Sequence, residues 1–172
     1  MDAADIATIA ERATVRFRLE CLPQYLVPQE TDDLAAWRRG DWSLPTPDTS
    51  SWLAHIRDTN AAGVRWQRVR ILDHPLAEYS EYELYGYQAN AAAGEHISVA
   101  DRAWSPALQS CEQDFWLFDD TPVRMVYDSD GQFLRAEVDS DPSPYRELRD
   151  LALHYAIPLP DYLAHYAPRL AA

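Results

Sequence analysis

At 172 residues and 47% hydrophobic, the chain can bury one substantial core and is short for two ordinary domains. Its formal charge of -13 repels a phosphate backbone, so direct nucleic-acid binding is not expected without a local basic patch. All fifteen cationic residues are arginine, which excludes Schiff-base chemistry, a phosphate-loop lysine and any lysine general base.

Met1 to Ala13 carries three acidic residues and no apolar run suited to a signal peptide, and nowhere do about 18 apolar residues follow one another. Ile6, Ile9, Ala10 and Ala13 have helical spacing, whereas Val15-Arg16-Phe17-Arg18-Leu19 alternates like a strand, so the type of this first segment stays ambiguous. Pro23 and Pro28 interrupt regular structure after Leu19. Thr31-Asp32-Asp33 offers capping chemistry for a short helix from Leu34 to Arg39, closed by Gly40, and the proline-rich run Asp41 to Ser51 is a loop. Ser50 or Ser51 can cap a helix carrying Trp52, Leu53, Ile56 and Ala61, which Gly63 would end.

Val64 to Leu72 alternates imperfectly with arginines and predicts a strand, after which Asp73-His74-Pro75 supplies a cap and a first-turn proline. Leu76, Tyr79, Tyr82, Glu83, Gly86, Tyr87 and Asn90 then recur at three- and four-residue intervals along one side of a helix, with Gly86 allowing close approach to a sheet. Gly94 ends that helix, and Glu95 to Ala100 gives a second strand, parallel to the first by a right-handed crossover.

Beyond a loop from Asp101 to Gln113, Phe115-Trp116-Leu117-Phe118 is apolar throughout and predicts a strand in the sheet interior. Turns at Asp119 to Pro122 and Asp128 to Gly131 set up an antiparallel meander through Val123 to Tyr127 and Gln132 to Val138. Helical patterns over Tyr145 to Ala156 and Asp161 to Tyr166 close the chain, separated by Pro158 and Pro160. The expected fold is α/β, a single mixed sheet of about five to six strands flanked by helices. One domain spans 1–172: an N-terminal extension over 1–48, an α/β core over 49–157 and a helical tail over 158–172.

No nucleophile elbow, glycine-rich phosphate loop, zinc-ligand spacing or dinucleotide fingerprint occurs between Val64 and Val138. Cys21 and Cys111, ninety positions apart, suit reduced thiols in a cytoplasm. Ligands of open sheets usually bind beyond the carboxyl ends of parallel strands, an edge that here carries Asp73, His74, Asp101 and Arg102. His74 is the best placed histidine, although one before a proline at a helix start is more often a capping residue. His55, His96, His154 and His165 fall at scattered positions.

Asp128, Asp130, Gly131 and Glu137 mimic part of a calcium loop, but the first ligand position is Val126, and a hairpin turn explains them better. Asp114 and Asp119 bracket the apolar strand, where carboxylates commonly form turns. Tyr79, Tyr82, Tyr85 and Tyr87 with Trp66, Trp104 and Trp116 suit a core, a ligand pocket or an interface. Glu83 near a buried helix side needs a partner, and Arg68, Arg70 or Arg102 could supply it. The candidate ligand-binding residues are Asp73, His74, Tyr79, Glu83, Glu95, Arg102, Asp114, Trp116 and Asp119. No catalytic residue, metal ligand or cofactor is assigned.

The strings Arg68-Val69-Arg70-Ile71-Leu72, Pro75-Leu76 with Tyr79 and Glu83, Ala93-Gly94-Glu95-His96-Ile97, and Asp114-Phe115-Trp116-Leu117-Phe118-Asp119 resemble an actinobacterial family of unknown function. The arginine-only cations, explained by a GC-rich coding bias, suit such a source. Genes of that family often lie near those of helix-turn-helix regulators, so the resemblance implies a regulatory setting and a basic protein partner. More distantly, the apolar strand ending in aspartate is similar to one half of the phospholipase D-like fold, whose motif is histidine, any residue, lysine, four residues, aspartate. Over Glu112, Gln113 and Asp114 to Asp119 only the aspartate is kept, so that likeness implies a scaffold without its nucleophile or its phosphate-neutralising lysine.

The leading expectation is therefore a cytoplasmic, non-catalytic binding module for a protein or a small ligand. Its rival is an enzyme, nuclease-like or small-molecule-modifying, with Glu83, Glu95, Asp114 and Asp119 converging on a metal or substrate. Self-association into a homodimer through an aromatic helix face is a third possibility.

Overall fold

The computed structural model describes residues 3–172. The opening ambiguity resolves into both types: helix α1 (Ala3–Arg12) is followed directly by strand β1 (Val15–Glu20). Helix α2 (Thr31–Arg38) has no side-chain cap and starts three residues earlier than its apolar pattern. In α3 (Ser51–Ala61), Ser50 is the cap and accepts the Leu53 amide at 3.4 Å. Strand β2 (Arg65–Leu72), helix α4 (Glu78–Ala92) and strand β3 (Glu95–Asp101) form the expected crossover, and β2 and β3 pair in parallel from Trp66↔Glu95 to Leu72↔Asp101.

The predicted cap of α4 is corrected. The helix begins at Glu78, after a cis His74–Pro75 turn, with Ala77 at the cap position and no side chain capping it. Gly86 meets Trp42 and not the sheet: a Cβ there would lie 3.3 Å from the Trp42 ring.

Strands β4 (Phe115–Phe118), β5 (Thr121–Tyr127) and β6 (Phe133–Val138) make the antiparallel meander. The β4–β5 hairpin has the two-residue loop Asp119-Asp120, with Asp119 left-handed at φ 50°, a conformation aspartate tolerates better than most residues. At the next turn, Asp128 Oδ1 accepts the amides of Asp130 and Gln132 at 3.0 and 2.8 Å, the self-capping geometry of an aspartate turn. Gly131 sits at φ +86°, and a Cβ there would meet the Gln24 carbonyl at 2.4 Å, so this turn needs glycine for conformation and for room.

Helix α5 (Ser143–Tyr155) leads into strand β7 (Ile157–Pro158) and helix α6 (Leu159–Tyr166). The sheet has seven strands in the order β6-β5-β4-β1-β2-β3-β7, more than the five to six expected. β7 is the strand missed: two residues, one a proline, show no alternation, and proline is tolerated on an edge. Strand β1 is central, parallel to β2 and antiparallel to β4, so two parallel connections follow one another where the sequence indicated one.

Side chains alternate across these strands and divide the sheet into two unlike faces. One face buries Phe17, Leu19, Val69, Ile71, Phe115 and Leu117 against Tyr145 and Ala152 of α5. The other presents Arg16, Arg18, Glu20, Arg68, Arg70 and Glu95, all buried, beneath α3, α4 and the segment leading to α2.

Candidate functional site

The charged face arises from ordinary local patterning. Arg16-Phe17-Arg18-Leu19-Glu20 and Arg68-Val69-Arg70-Ile71 each put charges at alternate positions, and parallel pairing in the register Arg18↔Arg68 and Glu20↔Arg70 sets the two rows side by side. On an edge strand those side chains would be solvated. In the middle of a seven-stranded sheet they are covered, and each charge must find its partner inside.

Most do. Arg18 donates to Asp114 at 2.9 Å and to Glu20 at 3.2 Å, and Arg68 donates to Glu20 and Glu95, both at 2.8 Å. Two nitrogens of Arg70 converge on Glu83 Oε2 at 3.0 and 2.7 Å, so among the three arginines considered from the sequence it is Arg70 that holds Glu83. Tyrosine hydroxyls complete the set: Tyr87 donates to Glu20 at 2.6 Å, and Tyr25 donates to Asp114 at 2.6 Å. Arg16 Nε and Arg18 Nη1 are buried and have no hydrogen-bond partner among the described residues. Arg16 instead lies 4.6 Å over the Trp66 ring and meets His55 Nε2 at 3.0 Å.

Burial and pairing pull the protonation equilibria in opposite directions. Burial would raise Glu20, but Arg68, Arg18 and Arg70 more than offset it and hold that carboxyl below its ordinary range. Glu83 is pushed up to about 7, first by burial, with the like charge of Glu20 adding to it against the pull of Arg70. Burial also raises Asp114, despite Arg18 and the Tyr25 hydroxyl.

Above this floor opens a cleft of about 580 Å³, within the range of small-ligand sites. Glu20 and Arg68 line it from the sheet, and Tyr79, Tyr82, Glu83 and Tyr87 line it from α4, with Trp42 beside Tyr82. Glu30 and Asp33 stand on the side of α2. Tyr79 donates its hydroxyl to Glu30 at 2.6 Å, and burial raises the Glu30 carboxyl.

The candidate residues separate into three places. Tyr79 and Glu83 line the cleft, and Glu95, Asp114 and Trp116 belong to the charged face around it; Trp116 packs between Phe118 and Trp66 with Arg18 over its ring. Asp73, His74 and Arg102 lie apart, at the carboxyl edge of β2 and β3. There Arg102 pairs with Asp73 at 3.0 Å and donates to the carbonyls of Leu108, Cys111 and Cys21. His74 Nδ1 meets Asp101 at 2.6 Å. Asp119 is at the opposite end of β1, where it accepts the amides of Thr14 and Val15 and the Thr14 hydroxyl. Among the described residues no group of three histidine, cysteine or acidic side chains is arranged to hold a metal ion.

Sequence reasoning missed Glu20, Arg18, Tyr25, Glu30 and Trp42. The available signal was the matched alternation of charge in two neighbouring strands, since that pattern in both partners of a parallel pair requires an internal counter-charge. Of the α4 tyrosines, Tyr79, Tyr82 and Tyr87 are buried and Tyr85 is half-buried.

Residues 5–164 match a family described as a domain of unknown function, DUF6879, and the chain belongs to it. No curated protein and no solved structure matches the chain. No helix among the described residues is long and apolar enough to cross a membrane.

Proposed function

We propose that the chain is a non-catalytic binding module acting in a regulatory setting, with the aromatic cleft as its binding site and a basic protein such as a helix-turn-helix regulator as its partner. One observation carries this: two of the carboxylates lining the cleft and its aliphatic hydroxyl are already engaged by the fold. Glu20 and Glu83 are held by arginines, and Ser50, the one aliphatic hydroxyl among the described lining residues, caps α3. As a degenerate relative of the phospholipase D-like half, the chain would keep only Asp119 of the motif, and here Asp119 is engaged by the backbone at the start of β1. Asp114, at the lysine position of that motif, is buried between Arg18, Tyr25 and the Cys21 amide.

The net charge of -13 favours a basic partner by steering its approach. Calorimetric titration of the full chain against a neighbouring regulator should give binding that weakens with salt; no heat at low or high ionic strength would overturn the proposal.

A second reading rests on Glu83. A carboxyl pushed up to about 7 on the lining of a cleft is the environment of many general acids. An acid-dependent enzyme of nuclease-like or small-molecule-modifying type would then use it. Turnover of a phosphodiester or other probe substrate, lost in Glu83→Gln with the fold intact, would favour this reading; divalent ions that raise the melting temperature would favour its metal-dependent form.

A further inference from the structure

The cleft's walls and charge specify what it can hold. Six rings, Phe133, Tyr127, Tyr25, Tyr79, Tyr82 and Trp42, follow one another at centroid separations of 5.8, 5.2, 6.1, 5.8 and 4.9 Å. They form a continuous aromatic band along the lining. The hydroxyls of Tyr25 and Tyr79 donate to Asp114 and Glu30, which ties those rings in place.

Among the described lining residues the charged groups are four carboxylates, Glu20, Glu30, Asp33 and Glu83, and one guanidinium, that of Arg68; Glu83 is held from behind by Arg70. Arg68 is already committed to Glu20 and Glu95. Glu30 is half-buried and its described partner is a tyrosine, not an arginine. With Glu20 and Glu83 held by arginines, an anion entering this space would meet the carboxylates of Glu30 and Asp33 and, among the described lining residues, no uncommitted guanidinium. A cation would meet aromatic rings, whose faces carry negative potential, and the carboxylates of Glu30 and Asp33, whose like-charge repulsion its arrival relieves.

From this we infer that the cleft is a receptor for an organic cation, an ammonium or guanidinium head carrying an apolar shell or stem. This deepens the binding-module proposal and rests on it. The same head group exists on a free amine or quaternary ammonium compound and on an arginine or lysine side chain of a basic partner. A volume of about 580 Å³ accommodates either.

The test is calorimetric titration of the full chain with choline, with agmatine, with the neutral choline isostere 3,3-dimethyl-1-butanol, and with a short arginine-containing peptide that is acetylated and amidated at its ends. The cations should saturate and bind at least about tenfold more tightly than the neutral isostere, a difference of ~1.4 kcal/mol. Glu30→Gln, a change at the mouth, should weaken the cations at least about fivefold and leave the isostere unchanged. Trp42→Ala should weaken both; should it fail to fold, Glu30→Gln carries the test.

A peptide that competes with choline and binds more tightly than agmatine identifies the source as a partner's side chain, and the reverse order identifies a free cation; both outcomes support the inference. Equal binding of choline and its isostere would overturn it while leaving a neutral-ligand cleft standing. Absence of saturation by every probe would overturn it too, and the regulator titration would then decide the binding-module proposal independently.

Discussion

The two faces of the sheet are built from the same strands and solve opposite problems. Beneath α5, Phe17, Leu19, Val69, Ile71, Phe115 and Leu117 exclude water with apolar contacts alone, which is how most cores are stabilised. One residue along each strand, Arg18, Glu20, Arg68 and Arg70 are equally buried and incur a desolvation cost that their pairing largely offsets. Stability therefore requires the first face and does not explain the second. A face that spends arginines and carboxylates to hold a wall of tyrosines in place is suited to shaping a site.

Arg70→Ala, which leaves Glu83 buried without its cation, should destabilise by about 3–5 kcal/mol, as much as Phe115→Ala on the apolar face at about 3–5 kcal/mol. Denaturant unfolding measures both. The double replacement Arg70→Met with Glu83→Leu should recover most of that loss, because both charges leave together. A double variant as damaged as the single one would break the comparison, by showing that the charged face is itself the main source of stability.

The charged face should also respond to pH where the apolar face does not. A carboxyl group raised on folding takes up a proton as the chain folds, so its contribution to stability declines as pH rises from the unfolded value to the folded one. For Glu83 that window runs from 4.5 to about 7, and Asp114 and Glu30, also raised, act in the same direction. The loss attached to Glu83 is on the order of 3 kcal/mol at ~1.4 kcal/mol per unit. Glu20 is lowered and works the other way, its contribution being present above its ordinary 4.5 and lost as pH falls further. The melting temperature should thus decline between about pH 5 and 7, and Glu83→Gln should flatten that slope. An unchanged slope in the variant would remove Glu83 as the cause.

Smaller effects sharpen the contrast at its margins. Ser50→Ala removes the cap of α3 beside the cleft and should cost about 0.5–2 kcal/mol, read as a lower denaturation midpoint. Arg135→Ala, on the outer strand β6 with its side chain 56% exposed beside Glu137, should change stability by no more than about 1 kcal/mol. A larger loss there would mean that charge pairing matters even where solvent screens it.

Most elements were legible because their signals are local. Ser50 capping α3, Gly94 closing α4, and the turns at Asp119-Asp120 and Asp128 to Gly131 need only a few neighbouring residues to specify them. The parallel β2–α4–β3 unit was legible for the same reason. What failed was also local in cause: β7 is too short to alternate, and α4 starts at Glu78 with Ala77 at its cap position, beyond the Asp73-His74-Pro75 signal. For the site, Glu83 was found because a carboxylate on a buried helix side demands a partner. Asp73, His74 and Arg102 fell together at the predicted strand edge, away from the cleft. Glu20 and Arg18 were overlooked because alternating charge in a strand ordinarily means solvent.

By itself, the sequence determined an α/β chain with a parallel unit, an antiparallel meander, a large negative charge and cations that are all arginine. Only the tertiary structure decided that β1 is central, and this one placement turns two rows of charge inward, draws Glu83, Glu95 and Asp114 from distant segments to meet them, and opens an acidic aromatic cleft above. Alternation along a strand fixes which side chains share a face, but which face meets water depends on the neighbours the strand acquires when the sheet assembles.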